Sequence, residues 1–313
     1  MLGREDIRYV MIASRGSSSN VARYAQYLLG SAQRAPVMFA TPSLYTLYGQ
    51  PPRLDGAVVV GISQSGASPD VAAVLAEARR QGRPTVALTN QPESLLAQQA
   101  DLVLLLEAGE ERAVAATKTY LNSVGAIAML HAAISGPAAE RELERMPALV
   151  ADQIERSLSA NPGLDAYEHA IGATVVARGI NYGTAFEIAL KIRELSGVVV
   201  EAYSPADLMH GPIAAISEGW PVILLAPDGR ARASVADTVG PLRHRGARII
   251  VISNLADTLA LGQTKLTLVS GVPEWLSALT AVIPGQATAL RLAQLRGLDI
   301  DNPTGLRKIT LTL

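Results

Sequence analysis

Apolar residues along the chain cluster into short runs separated by polar, Gly- and Ser-rich stretches. Tyr9–Ala13, Ala57–Ile62, Thr85–Thr89 and Leu102–Leu106 are too short for stable helices and are bounded by turn residues. They predict buried strands. Asn20–Leu29 and Val71–Gln81 read as helices between them, and Ala113–Ile134 reads as a long helical region closing this half. Ala138–Ser159, with Glu140, Glu142 and Glu144 near its start, reads as a helix leading onward. The same alternation then resumes. Strands are predicted at Thr174–Ala177, Val198–Ala202, Val222–Ala226, Arg248–Ser253 and Leu266–Leu268, and helices at Gly183–Ser196, Ser234–His244 and about Glu274–Leu295, ending at Gly297. Alternating strands and helices predict right-handed crossovers, hence an α/β fold with doubly wound parallel sheets.

The two halves echo each other. Gly82–Asn90 has its counterpart in Gly246–Asn254, and Asp101–Leu106 in Lys265–Ser270, both 164 residues later. Ala13-Ser14-Arg15-Gly16 is echoed by Val176-Ala177-Arg178-Gly179, 163 residues on. Matches in order at one offset indicate two copies of one unit, expected as residues 1–155 and 156–313.

Composition narrows the function. Apolar residues make up 49% of the 313 and aromatics only 4%, a mix suited to buried parallel strands under Ala-rich helices. A net charge of −1 gives no broad footprint for nucleic acid, so no nucleic-acid partner is expected. The absence of Cys rules out disulfides, thiolate metal sites and a Cys nucleophile in this chain. No secretory pattern opens the sequence. The apolar stretch Val124–Ile134 falls short of the roughly 20 residues that span a bilayer. No membrane partner and a cytoplasmic location are the expectation.

One junction carries an anion-binding signature. The run Val58–Ile62 leads into Ser63-Gln64-Ser65-Gly66-Ala67-Ser68-Pro69-Asp70 and then a helix. Open α/β sheets bind ligands where strands end, and a helix start presents free N–H groups and a positive dipole. Ser63, Ser65 and Ser68 add hydroxyls and Gln64 an amide. A turn at Gly66 and a cap at Ser68 would explain the same residues structurally; the coincidence of hydroxyls, glycine and strand-to-helix junction favours phosphate. The equivalent stretch of the second copy, Pro227-Asp228-Gly229-Arg230-Ala231-Arg232, keeps the turn without the hydroxyls, so one phosphate site per chain is expected. Arg15–Asn20 follows the first strand in the same way, and Ser18 reads either as a ligand contact or as helix capping.

A second constellation concerns proton transfer. Glu187, Lys191 and Glu194 fall at i, i+4 and i+7, on one helical face. Taken alone they read as a solvated face with one Glu-to-Lys pair. The stretch that follows places His210 beside Gly211-Pro212, and His suits proton transfer near neutral pH. Lys308 lies in the tail.

Together these motifs resemble the tandem sugar isomerase (SIS) domains of the isomerase half of glucosamine-6-phosphate synthase. They are closer still to stand-alone proteins related to type II glucosamine-6-phosphate deaminase. The resemblance rests on Ala13–Ser18, Ser63–Gly66, Ala115-Ala116-Thr117-Lys118, Glu187–Glu194, Glu201-Ala202-Tyr203, His210-Gly211-Pro212 and Asp299–Pro303 running on to Lys308. It implies a phosphosugar isomerase or deaminase made of two SIS domains, without a cofactor or metal. Ser63, Gln64, Ser65 and Ser68 would bind the phosphate. Glu194 would move a proton between C1 and C2, His210 would assist ring opening in the neighbouring subunit of a homodimer, and Lys308 would hold the open-chain sugar. Ser18, Val114, Ala116, Glu187 and Lys191 would line the sugar site. Ala67, Ala116 and Met209 depart from the synthase pattern, which leaves room for another phosphosugar substrate or a fructosamine-6-phosphate deglycase. A non-catalytic sugar-phosphate sensor is the reading from another class. Only about eight residues precede the first strand, fewer than in related chains. The synthase takes ammonia from glutamine with a Cys nucleophile; a chain without Cys is expected to release free ammonia or to involve no ammonia at all.

Overall fold

A computed structural model describes residues 6–34, 36–160 and 162–306. The chain forms two compact units, one of residues up to Ile134 and one of Ser135–Leu306.

The first unit runs β1 (Tyr9–Ser14), α1 (Ser17–Gln33), β2 (Val37–Phe39), α2 (Ser43–Thr46), β3 (Ala57–Ile62), α3 (Pro69–Arg80), β4 (Thr85–Thr89), α4 (Leu95–Gln98), β5 (Leu102–Leu105) and α5 (Lys118–Ser135). Its five strands are all parallel in the order β2-β1-β3-β4-β5. β3 and β4 are buried along their whole length, which is why they read as unbroken apolar runs. Val59, Val71, Leu75 and Leu96 sit in the core between β3 and its covering helices.

The second unit opens with α6 (Pro137–Glu144) and α7 (Met146–Ser159) and continues β6 (Gly172–Val176), α8 (Tyr182–Ser196), β7 (Val199–Tyr203), α9 (Pro205–Met209) and β8 (Pro221–Leu225). It then runs α10 (Arg232–Ala236), α11 (Val239–His244), β9 (Arg248–Ser253), α12 (Ala256–Leu259), β10 (Thr264–Thr267) and α13 (Ser277–Leu295). The sheet order β10-β9-β8-β6-β7, again all parallel, is that of the first unit traced from the other edge. Two doubly wound parallel sheets with one strand order are the physical form of the sequence repeat.

Some boundaries move. The region read as one helix from Ala138 to Ser159 is two, broken at Arg145 just ahead of Pro147, whose ring cannot donate to the helix. The stretch read as Ser234–His244 is also two helices; between them the Thr238 hydroxyl donates to the Val235 carbonyl at 2.7 Å, taking up a helix acceptor. Residues 107–117, partly assigned to the helical region from Ala113, lie ahead of α5 without regular structure. β2 was missed because only Val37 of its three residues is buried, too little for a pattern. Among the described residues no helix is long and apolar enough to cross a membrane.

Candidate active site

In the strand order of the first unit the chain turns back between β1 and β3, the switch point at which such sheets open a crevice beyond their carboxyl ends. β1 and β3 pair from Tyr9 with Ala57 to Ser14 with Ile62, so the two loops that follow leave side by side. One is Arg15–Gly16, leading into α1. The other is Ser63–Ser68, leading into α3.

The Ser63–Ser68 loop is built from its own polar groups. The Gly66 N–H donates to Ser63 Oγ at 3.1 Å and the Ala67 N–H to Ser65 Oγ at 3.3 Å. The carbonyl of Gln64 accepts from the Asn90 N–H at 3.0 Å, and that of Gly66 from the Leu96 N–H at 2.9 Å. With these carbonyls tied to the β4–α4 segment, the loop keeps N–H groups for a ligand. Those of Gln64, Ser65 and Ser68 have no acceptor among the described residues. Gly66 has φ +61°, and a Cβ there would collide with the Ser94 side chain, so the turn needs glycine both for its backbone and for space. Ser68 occupies the N-cap position of α3, yet its side chain makes no capping bond. The Val71 N–H is taken by Asp70 Oδ1 at 2.9 Å instead, which leaves the Ser68 hydroxyl available. Ser18 lies in the first turn of α1, its N–H bonded to the Arg15 carbonyl at 3.1 Å.

Val114 and Ala116, both half-buried, sit in the segment between β5 and α5. Glu111 fixes that segment: one carboxylate oxygen accepts from the Thr117 N–H at 3.2 Å, the Thr119 N–H at 2.9 Å and the Thr119 hydroxyl at 2.7 Å. This carboxylate sits at the start of α5, where the helix dipole favours negative charge. Glu111 was not among the candidates, because nothing local in the sequence distinguishes it from an exposed loop acid.

In the second unit α8 carries the titratable cluster. The solvated-face reading of this helix is wrong for two of its three members: Glu187 is 0% and Lys191 1% exposed, and only Glu194 reaches solvent, at 23%. The Lys191 ammonium bonds Glu194 Oε2 closely and lies 3.7 Å from Glu187 Oε1. Two carboxylates therefore share one buried cation, with the outer one partly open. Burial accompanies close packing, since α8 packs against β6, β7 and α13.

His210 caps the C-terminus of α9 and is exposed, with no hydrogen bond to the α8 cluster. Around it, Ser204 accepts from the Asp207 N–H at 3.1 Å, and Tyr182 of α8 donates to Asp207 at 3.4 Å. The Tyr203 hydroxyl donates to Glu201; that bond, with burial second, pushes its pKa up to about 12. Lys308 lies outside the described residues. Among those described, no cluster of three or more His, Asp or Glu side chains is arranged to hold a metal ion.

Comparison with known proteins gives these features a context. The SIS domain family model matches residues 4–133 and again 170–296. Glutamine–fructose-6-phosphate aminotransferase (isomerizing) of Thermus thermophilus is 30% identical over 318 residues, which cover 98% of this chain and 52% of that protein. The chain thus spans about half the length of such relatives. Among solved structures, the C-terminal domain of glucosamine-fructose-6-phosphate aminotransferase from Francisella tularensis has a TM-score of 0.85 at 24% identity, covering 94% of this chain and 86% of that one. Glucosamine-6-phosphate deaminase from Thermotoga maritima has a TM-score of 0.79 at 21% identity, covering 98% and 92%. These two likenesses concern the fold. With both halves of its sequence matched, the chain belongs to the SIS domain family and carries two SIS domains in tandem.

Proposed function

We propose that this chain is a phosphosugar aldose–ketose isomerase that deaminates its substrate, converting glucosamine 6-phosphate and water to fructose 6-phosphate and ammonia. The observation that carries the reading is the buried Glu187–Lys191–Glu194 cluster on α8. Replacing buried ion pairs by apolar residues is often neutral or stabilising, so such a cluster is poorly explained by stability alone. A carboxylate with a buried ammonium behind it and an edge open to solvent is suited to accept and return a proton.

In this reading the Ser63–Ser68 loop holds the sugar phosphate through free N–H groups and hydroxyls. Glu194 takes the proton from C2 of the open-chain amino aldose as the C1 oxygen is protonated, and delivers it to C1 as the amino group gives up a proton. The resulting C2 imine adds water and expels ammonia, leaving the ketose. Lys191 holds Glu194 in position and balances its charge when the carboxylate is ionised. His210, exposed at the end of α9, assists ring opening in the site of a second copy, making the working enzyme a homodimer. Lys308 holds the open-chain sugar. The curated relative named above is an isomerizing aminotransferase whose name gives fructose 6-phosphate, the ketose proposed here as product, which supports the assignment. A second reading, isomerisation of another phosphosugar or deglycation of a fructosamine 6-phosphate, is favoured by Ala116 in the segment assigned to the sugar and Ala67 in the loop assigned to the phosphate, both departures from the synthase pattern.

The test is to incubate the protein with glucosamine 6-phosphate and follow ammonia and fructose 6-phosphate together. Equal amounts of both, lost in Glu194→Gln, are expected. Turnover of a different phosphosugar without ammonia would replace the deaminase by the second reading. Binding of phosphosugars with no turnover of any would make the chain a sensor.

A further inference from the structure

The loop assigned to the phosphate supplies hydroxyls and amides but no formal positive charge, whereas a phosphate monoester carries about −1.5 to −2 at neutral pH. Within residues 9–20 and 57–78 the single basic residue is Arg15; Arg23 of α1 and Arg79 and Arg80 of α3 lie further along their helices. It follows Ser14, whose register partner Ile62 directly precedes the loop, so it leaves the sheet beside Ser63. Its guanidinium is held in place. Nε donates to Asp70 Oδ2 at 2.7 Å, and Nη2 lies 2.6 Å from the same oxygen. Asp70 is fully buried in the first turn of α3, two residues after Ser68, and its other oxygen is occupied by the Val71 N–H. The Arg15 side chain stays 51% exposed, with Nη1 unbonded among the described residues. One edge of the fork is thus fixed to the helix that the loop enters, and the other edge remains for a ligand.

The second unit supplies an internal comparison. Arg178 holds the position of Arg15, and its Nη1 donates at 2.8 Å to Ser234, which lies 164 residues after Asp70. The arginine-to-helix strap is therefore present in both copies. There, however, the crevice is already filled by an anion from the chain. Glu274 Oε1 accepts from the Arg230 N–H of the loop at 2.8 Å, and a Cβ on Gly229 would lie 2.7 Å from the Glu274 carboxyl carbon. Arg178, Asp228, Gly229 and Glu274 line one small crevice. The first copy keeps the arginine, and no carboxylate bonds its loop amides among the described residues.

We propose that Arg15, oriented by Asp70, is the cationic ligand of the substrate phosphate, in the place that Glu274 makes unnecessary in the second copy. The proposal rests on the reading that a sugar phosphate occupies the Ser63–Ser68 loop. The phosphate oxygens accept from Nη1 of Arg15 while Asp70 fixes the plane of the guanidinium.

The experiment is calorimetric binding of inorganic phosphate and of fructose 6-phosphate to the full chain, wild type against Arg15→Met, Asp70→Asn and the double variant. Charge-assisted hydrogen bonds contribute about 1.5–3 kcal/mol, so Arg15→Met is expected to weaken both ligands roughly ten- to hundredfold. The double variant leaves no unpaired buried carboxylate and so guards against loss of folding; it is expected to bind as weakly as Arg15→Met. If the double variant binds as tightly as wild type, Arg15 is only a counter-ion for Asp70 and the proposal is overturned. Wild type binding neither phosphate nor any sugar phosphate would instead remove the functional reading beneath it.

Discussion

Lys191→Met removes the cation from the buried cluster of α8 while keeping a side chain of similar length. Glu187, fully buried, then loses the ammonium 3.7 Å from its carboxylate. At an effective dielectric of about 20, the direct attraction at such a distance is of order 4 kcal/mol. Breaking a buried pair by removing one partner typically costs about 3–5 kcal/mol, because the remaining charge stays desolvated. Glu194 suffers less, since it reaches water. At roughly 2–4 °C per kcal/mol for a unit of this size, the melting temperature should fall by about 6–20 °C. The double variant Glu187→Gln/Lys191→Met removes both buried charges and should recover most of that loss. Turnover should not recover, because Glu194 still lacks its positioning cation. Urea denaturation and thermal melts give the first quantity, and steady-state kinetics the second. A Lys191→Met loss below about 1 kcal/mol, or a double variant no more stable than the single, would refute the view that Lys191 is a buried counter-ion.

Other expectations concern the first unit. Gly66→Ala places a methyl against Ser94 in a backbone at φ +61°, and should cost about 1–3 kcal/mol and abolish binding of inorganic phosphate, measured by melts and calorimetry. Glu111→Ala strips three hydrogen bonds from the segment carrying Val114 and Ala116; KM for the phosphosugar should rise severalfold while inorganic phosphate binds as before. Burial lowers the pKa of His131 in the folded chain, so the folded state binds its proton less readily than the unfolded one. Its contribution to stability is full above the unfolded value of about 6.5 and is lost as pH falls through the lower folded value. His131→Leu should therefore flatten the acid side of the stability–pH profile measured by urea denaturation.

Much of this architecture is legible in the sequence because burial on both faces writes itself as unbroken apolar runs. β3, β4, β8 and β9 are such strands, and the repeat at an offset of 164 fixes the two-unit plan. β2 escapes because a three-residue edge strand with one buried side chain has no period. The helix breaks at Arg145 and Thr238 depend on a proline and on a side-chain bond to the backbone, which weigh little against helical composition. The loop proposed to hold the phosphate is visible because its polar residues are contiguous. The burial of Glu187 and Lys191 is not, since i, i+4 spacing is identical on a solvated face and on a buried one. Arg15 and Asp70 are 55 residues apart, and only the parallel pairing of β1 with β3 brings their loops side by side. Sequence order carries no trace of such a pair except the recurrence of the arginine at Arg178.

The central claim is that this chain moves a proton between C1 and C2 of a phosphosugar, with Glu194 as the carrier. The direct measurement is incubation of fructose 6-phosphate and of glucosamine 6-phosphate with the protein in heavy water, followed by NMR of the recovered sugars. Deuterium entering at C1 or C2 with wild type, and absent with Glu194→Gln at the same protein concentration, is the result expected. Deuterium entering equally with Glu194→Gln, or neither deuterium entry nor any aldose–ketose conversion in either sugar while both bind the protein, would contradict it.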